Sequence, residues 1–239
     1  MLHLHCHKIV ITACLIGFGF FAANVNAQIG GRDNHNFRDF NKKSYYFGIN
    51  LGFNNSGYKL RQSGFFINNE SIRVTEGSRE VGVNMHMITN LKLGEYFDFR
   101  FLPGFSFAQR GFEFTSVADG KVTQRNIESV FFELPFHLRF KSEPYKDKRM
   151  FVVAGLKYSY DVQSNSKSRK SLIKIAPHDF QYEVGVGMQM FYPYFIFSPE
   201  IKFSRGLGSI LIYDRTQNEA RVLDEVMSQI FTISFNFEG

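Results

Sequence analysis

Eight segments of period-two alternation run through this chain, and nothing else in it constrains the fold as much, because successive side chains of a β-strand point to opposite faces. In the first, Tyr45, Phe47, Ile49, Leu51 and Phe53 share one face and Tyr46, Gly48, Asn50, Gly52 and Asn54 the other. Val81, Val83, Met85, Met87 and Leu91 then oppose Glu80, Gly82, Asn84, His86 and Asn90. Phe97, Phe99, Phe101, Phe105 and Phe107 oppose Asp98, Arg100, Gly104 and Ser106. A fourth apolar row runs from Val130 to Phe140 with Glu133, His137 and Arg139 behind it, and a fifth lies between Val152 and Tyr160 with Lys157, Ser159 and Asp161 on its polar side. The sixth sets Phe180, Tyr182, Val184, Val186, Met188 and Met190 against Gln181, Glu183, Gly185, Gly187 and Gln189. The seventh sets Phe195, Phe197, Ile201 and Phe203 against Ser198, Glu200, Lys202 and Ser204. The eighth, residues 230–237, ends on Phe237, two positions from the last residue. A bacterial outer-membrane β-barrel usually finishes in this way.

No stretch after Gln28 reaches the roughly 18 apolar residues that a spanning helix needs, so the sequence excludes a helical membrane protein. Its 29 Phe and 11 Tyr against 6 Pro and no Trp fit aromatic surface buried by strands. The mean hydropathy is slightly polar, which in a barrel reflects averaging over two opposite faces. The net charge of +6 is spread along the chain without a basic stripe or a reading module. Nucleic acid is therefore not an expected partner, and Lys167-Ser168-Arg169-Lys170 reads as solvated loop.

Lys8 precedes an apolar run at residues 9–23, and Val25-Asn26-Ala27 supplies small residues for cleavage, so residues 1–27 read as a signal peptide. The mature chain is expected to start at Gln28, and because that position is not Cys, no lipid-modified N-terminus is expected. Both cysteines, Cys6 and Cys14, fall inside the leader. Disulfides, metal thiolates and thiol nucleophiles are thus not expected in the processed protein. The tract from His3 to His7 is expected to leave with it.

Connections alternate in length. Tight ones fall near residues 92–95, 142–149 and 191–194, and long ones near 55–79, 111–128, 163–178 and 206–227. Short turns at one rim and long loops at the other are the parity of a barrel whose ends face different compartments. The second long connection is expected to extend its strands as a hairpin, since Asp119-Gly120 suits a type I′ turn, and residues 219–227 have room for one or two helical turns. Residues 28–44 read as a loose periplasmic arm, and 45–239 as the barrel.

Alternation alone does not decide which face points inward, and a soluble lipocalin-type barrel would turn the phenyl face in. The polar face is rich in Gly, Ser and Asn and balances Glu80, Asp98, Glu133, Asp161, Glu183 and Glu200 with Arg100, Arg139, Lys157 and Lys202. The inside of a narrow barrel needs such small and mutually neutralising residues, because an unpaired buried charge is costly. The sequence therefore predicts an all-β, closed antiparallel up-and-down transmembrane β-barrel of about eight strands in the outer membrane of a Gram-negative cell. Phe97, Phe99 and Phe101 should face lipid, and Asp98 and Arg100 the lumen. At eight strands side chains fill the interior, so a diffusion channel is not expected. His86 and His137 with the lumen carboxylates have no nucleophile–base–orienter spacing, and no catalytic, cofactor-binding or metal residue is assigned. Pro103, Pro135 and Pro199 fall inside predicted strands, where bulges or bends are expected.

Asn36-Phe37-Arg38-Asp39-Phe40, Phe99-Arg100-Phe101-Leu102-Pro103, Ser106-Phe107-Ala108-Gln109-Arg110 and Phe132-Glu133-Leu134-Pro135 resemble the PorT family of outer-membrane barrels, called SprT in gliding Bacteroidota. The resemblance continues through residues 154–161, 182–187 and 198–204, and covers essentially all of the mature chain in order. It implies a non-enzymatic role in the type IX secretion system, and in gliding motility where that occurs, with outer-membrane lipid and other secretion components as partners. Neither a cofactor nor a small-molecule substrate is implied. The alternative is a stand-alone small barrel with an adhesin-like or envelope-stabilising role.

Overall fold

The computed structural model describes residues 35–62, 72–116, 122–163, 174–212 and 223–239. The leader and the tips of the long connections, Asp119-Gly120 among them, lie outside the described residues. One short helix, α1 (His35–Asn41), precedes the strands β1 (Tyr45–Gln62), β2 (Ile72–Lys92), β3 (Phe97–Phe101), β4 (Gly104–Ser116) and β5 (Val122–Lys141). Then follow β6 (Lys148–Asp161), β7 (Lys174–Ile175), β8 (His178–Phe191), β9 (Ile196–Gly206), β10 (Leu211–Ile212) and β11 (Leu223–Glu238). The first and last strands pair with each other, Ile49 opposite Phe237 and Phe53 opposite Ile233. With every neighbour antiparallel, this pairing closes the ring β1–β2–β3/β4–β5–β6–β8–β9–β11. β3 and β4 are two parts of one wall strand, since both lie between β2 and β5, while β7 and β10 pair as a separate two-stranded ladder. The result is the eight-stranded up-and-down barrel that the alternation predicts.

Opposed residues followed once round the ring, from Asn54 through Thr232, Lys202, Gly185, Val153, Arg139 and Asp98 to Lys92, return beside Ser44, ten residues lower. That stagger on eight strands corresponds to a tilt of about 40° and an interior just wide enough for side chains to fill.

The charged and amide groups point inward and the phenyl groups outward. Asp98, Arg100, His137 and Arg139 are fully buried, while Phe97, Phe99, Phe105, Leu138 and Phe140 are exposed. The lipocalin-type arrangement, with its aromatic face inside, is the inverse of this. Small inward residues make room for large ones. A Cβ on Gly155 would collide with the Phe136 carbonyl oxygen and lie 2.7 Å from the His137 ring, and one on Gly187 would collide with the Phe151 ring.

The prolines act on the ladder differently from expectation. No register shift accompanies them; the shifts fall in β1 between Arg61 and Gln62 and in β2 between Val74 and Glu76 and between Arg79 and Val83. Leu102 N donates to the Pro135 carbonyl at 3.0 Å, but Pro135 has no N–H to return the bond, and next to Leu102 stands Pro103. The wall strand breaks into β3 and β4 at this pair. Beside Pro199 the β8–β9 ladder lapses between Gly187↔Glu200 and Met190↔Phe197.

Several predicted loops are strand. β1 reaches Gln62 and β2 begins at Ile72, so much of 55–79 continues the wall, and β4 and β5 extend as the expected hairpin. Of residues 219–227, where helical turns are expected, 219–222 lie outside the described residues and the rest belong to β11, which Lys59 to Gln62 of β1 pair as far as Leu223. At 18, 21 and 20 residues, β1, β2 and β5 exceed the roughly 9–11 needed to cross a bilayer, so they project beyond it at the long-loop rim. At the other rim Tyr45, Tyr96, Tyr145, Tyr192 and Tyr194 are all exposed, an interfacial aromatic belt built from tyrosine in a chain without tryptophan.

Candidate functional site

Two parts of the barrel carry unusual chemistry: the lumen, and the mouth at its short-turn rim. Among the described residues, the buried acids are Asp98, Glu133, Asp179, Glu183, Glu200 and Glu238, and the buried bases are Arg100, Arg139, Lys141, Arg149, Lys157 and Lys202. The two sets are equal in number. Most are also paired in space, as burial requires, while Arg149 donates to the Ser142 and Glu95 carbonyls and Asp179 accepts from Gln181.

Arg100 reaches Glu200 at 3.0 Å with one Nη and Glu238 at 2.7 Å with the other, and Arg139 meets the same Glu238 oxygen at 3.2 Å. Lys157 bridges Glu133 and Glu183, each at 3.2 Å. His86 holds Glu133 at 3.1 Å and Asn50 at 3.2 Å through its two ring nitrogens. His137 contacts Glu183 at 2.6 Å, and the Ser204 hydroxyl donates to the other Glu183 oxygen at 2.5 Å. Lys141 sits 2.5 Å from Asp98, to which the Tyr46 hydroxyl also donates at 3.4 Å. These bonds link residues from all eight wall strands into cross-lumen ties. Ser204 bonds a carboxylate, not an imidazole, so it is not paired with a histidine base as an activated nucleophile is. No group of three or more His, Cys, Asp and Glu among the described residues is arranged to hold a metal ion.

Of the lumen charges named from sequence, Asp98, Glu133, Glu183, Glu200, Arg100, Arg139, Lys157 and Lys202 lie inside, as do His86 and His137. Glu80 and Asp161 are only half-buried, near the long-loop rim. Sequence reading missed Lys141, Arg149, Asp179 and Glu238. Each continues the inward parity of its strand by one or more steps past the last apolar residue counted, and that continuation was the available signal.

Of the expected arm, residues 28–34 lie outside the described residues, and His35–Asn41 form α1, which covers the mouth. Phe37 packs edge-on against Phe191 at 5.2 Å between centroids, Phe40 lies 6.3 Å from the same ring, and the Arg149 guanidinium stands 5.5 Å over Phe37. Lys92 Nζ donates to the Phe40 carbonyl at 2.5 Å. The anchor is the β5–β6 turn, where Tyr145 and Lys148 exchange both backbone bonds across Lys146-Asp147, each at positive φ (49° and 54°). This is a type I′ hairpin without glycine. Asp147 accepts from the Phe37 N–H at 3.0 Å and from Asn36 at 3.3 Å, while its own carbonyl accepts from Phe191 N at 2.9 Å. Beneath α1, between Tyr46, Lys92, Lys141, Arg149 and Gln189, remains a space of about 10 Å³, room for at most about one water.

In comparisons with known proteins, the family described as outer membrane protein beta-barrel domain matches residues 26–211. No curated protein matches the chain. Among solved structures, the outer membrane protein OprG of Pseudomonas aeruginosa superposes with a TM-score of 0.48 at 10% identity, covering 82% of this chain and 95% of that one. Ail, the attachment invasion locus protein of Yersinia pestis, in complex with the heparin analogue sucrose octasulfate, gives a TM-score of 0.40 at 10% identity, covering 82% and 100%.

Proposed function

We propose that this chain, which belongs to the outer membrane protein beta-barrel domain family, is a non-enzymatic outer-membrane barrel that serves type IX protein secretion through contacts made by its rims and outer wall. The observation that carries the mode of action is the cross-tied lumen closed by α1: a barrel packed with ion pairs from wall to wall leaves no passage for a polypeptide. It therefore serves export as a component of a larger assembly. The secretion role itself rests on the resemblance of its wall segments and of the Asn36–Phe40 segment to the PorT family, and that segment supplies α1, which covers the mouth. Deleting the gene in the native bacterium is expected to hold proteins with C-terminal type IX targeting domains in the periplasm, and to stop gliding if the cell glides. Cargo fractionation by immunoblot reads the result. Undiminished export in the deletion strain would remove the secretion role. It would leave the stand-alone envelope barrel, a reading favoured by the wall that β1, β2 and β5 raise beyond the bilayer.

A further inference from the structure

The outer wall carries a charge pattern that neither the lumen nor the mouth uses. On β2, β11 and β9, two residues beyond the outward apolar Val81, Phe231 and Phe203 towards the long-loop rim, stand Arg79, Gln229 and Arg205, with Met227 following on β11 and the exposed Leu207 just past β9. Gln229 is directly opposite both Gly57 of β1 and Arg205 of β9, so the three are neighbours across the wall. The Arg79 side chain crosses the bare Gly57 and donates to Gln229 Oε1 at 3.2 Å; a Cβ at position 57 would lie 2.6 Å from Arg79 Cγ. One step higher, Lys59 is exposed on the same face. A step above that, Arg61 is matched by Glu225 at 3.4 Å and Asp224 at 3.9 Å, which neutralise it. Arg79, Arg205 and Lys59 thus form a cationic ledge in the part of the outer wall towards the long-loop rim.

Below Arg79 along β2, the wall is hollowed into a groove of about 480 Å³ whose lining is mostly apolar, with Phe53, Val81, Val83, Phe107 and Val130 beside the polar Ser129 and Gln163. A largely apolar groove on the lipid-facing wall, with a cationic cluster beginning two residues along β2 from its Val81 wall, has the complementarity of an acylated anion. We propose that this ledge and groove form a binding site for a phosphorylated glycolipid of the outer leaflet, with Arg79, Arg205 and Lys59 on its phosphate and an acyl chain in the groove. The positions given by Gln229 and Gly57 hold Arg79 flat against the wall, where a lipid phosphate arrives from the side.

The test uses the full mature barrel in phosphatidylcholine nanodiscs, with hexa-acylated bis-phosphorylated lipid A as the probe and its dephosphorylated form as the control. Bound lipid is counted by native mass spectrometry. The wild type is expected to retain lipid A and to bind the dephosphorylated form about tenfold more weakly, as the loss of charge-assisted hydrogen bonds implies. Arg79→Gln with Arg205→Gln should abolish that preference, and Lys59→Gln, an exposed position whose change leaves the ladder intact, should reduce it. Heat-modifiable migration in gels checks that each variant is folded. An undiminished preference in the folded double variant, or equal binding of the two lipids by the wild type, would overturn the site. The ledge would then be left to an acidic partner protein.

Discussion

Arg100→Met is expected to destabilise the barrel by about 3–5 kcal/mol, the usual cost of leaving buried partners of a broken ion pair uncompensated. Arg100 is fully buried and is the group that joins Glu200 of β9 to Glu238 of β11, so its loss leaves a carboxylate cluster facing only Arg139 and Lys202. Urea unfolding from phospholipid vesicles, followed by circular dichroism, reads the effect as a lower midpoint. The companion double variant, with Glu200→Gln added, should recover part of the loss, because it restores equal numbers of buried acids and bases and leaves Glu238 paired with Arg139. A change in the single variant no larger than that of an exposed ion pair, under about 1 kcal/mol, would mean that water reaches these groups.

A change on the opposite face of the wall has a comparable cost for a different reason. Met85 stands midway up the apolar band of β2, exposed between Leu51 of β1 and Phe105 of β4. Met85→Arg should cost about 2–4 kcal/mol, as a cation at the bilayer midplane does, and should lower the yield of folded protein in the outer membrane. The same substitution at Thr89, nearer the tyrosine belt, should cost less, since an arginine there reaches the interface. Equal costs at the two depths would contradict the placement of the band.

The faces of the wall are legible in the sequence because lipid on one side and packed charges on the other force every second residue to differ. That is why the alternation, together with the balanced charges of its polar row, assigns Phe99 and Phe132 to lipid and Arg100 and Glu133 to the lumen. Where the strands leave the bilayer the contrast disappears. From Asn55 to Gln62 both faces of β1 meet polar surroundings, so the segment reads as loop although it is paired with β11 throughout. The same loss of contrast hides Glu238, Lys141 and Arg149 at the other end, where the inward parity continues past the last lipid-facing ring. Proline marks the right location: a missing N–H at Pro135 faces Leu102, and of the bulge or bend expected there no bulge forms, the ladder breaking between β3 and β4 with its register kept. α1 is illegible for another reason. Seven residues are too few to hold a helix by their own propensity, and this one exists through Phe37, Phe40 and the Asp147 turn, contacts set by tertiary structure.

The rims and wall are assigned the function because the lumen is closed, and conductance measures that closure directly. Purified mature protein inserted into planar lipid bilayers should give no stable current steps above the baseline of the bare membrane, since the Arg100–Glu200 and Arg100–Glu238 ion pairs reach across the lumen and α1 covers the mouth. Long-lived ohmic steps from the folded barrel, present in every preparation and absent without protein, would mean that the interior is a water-filled channel and would contradict the account at its centre.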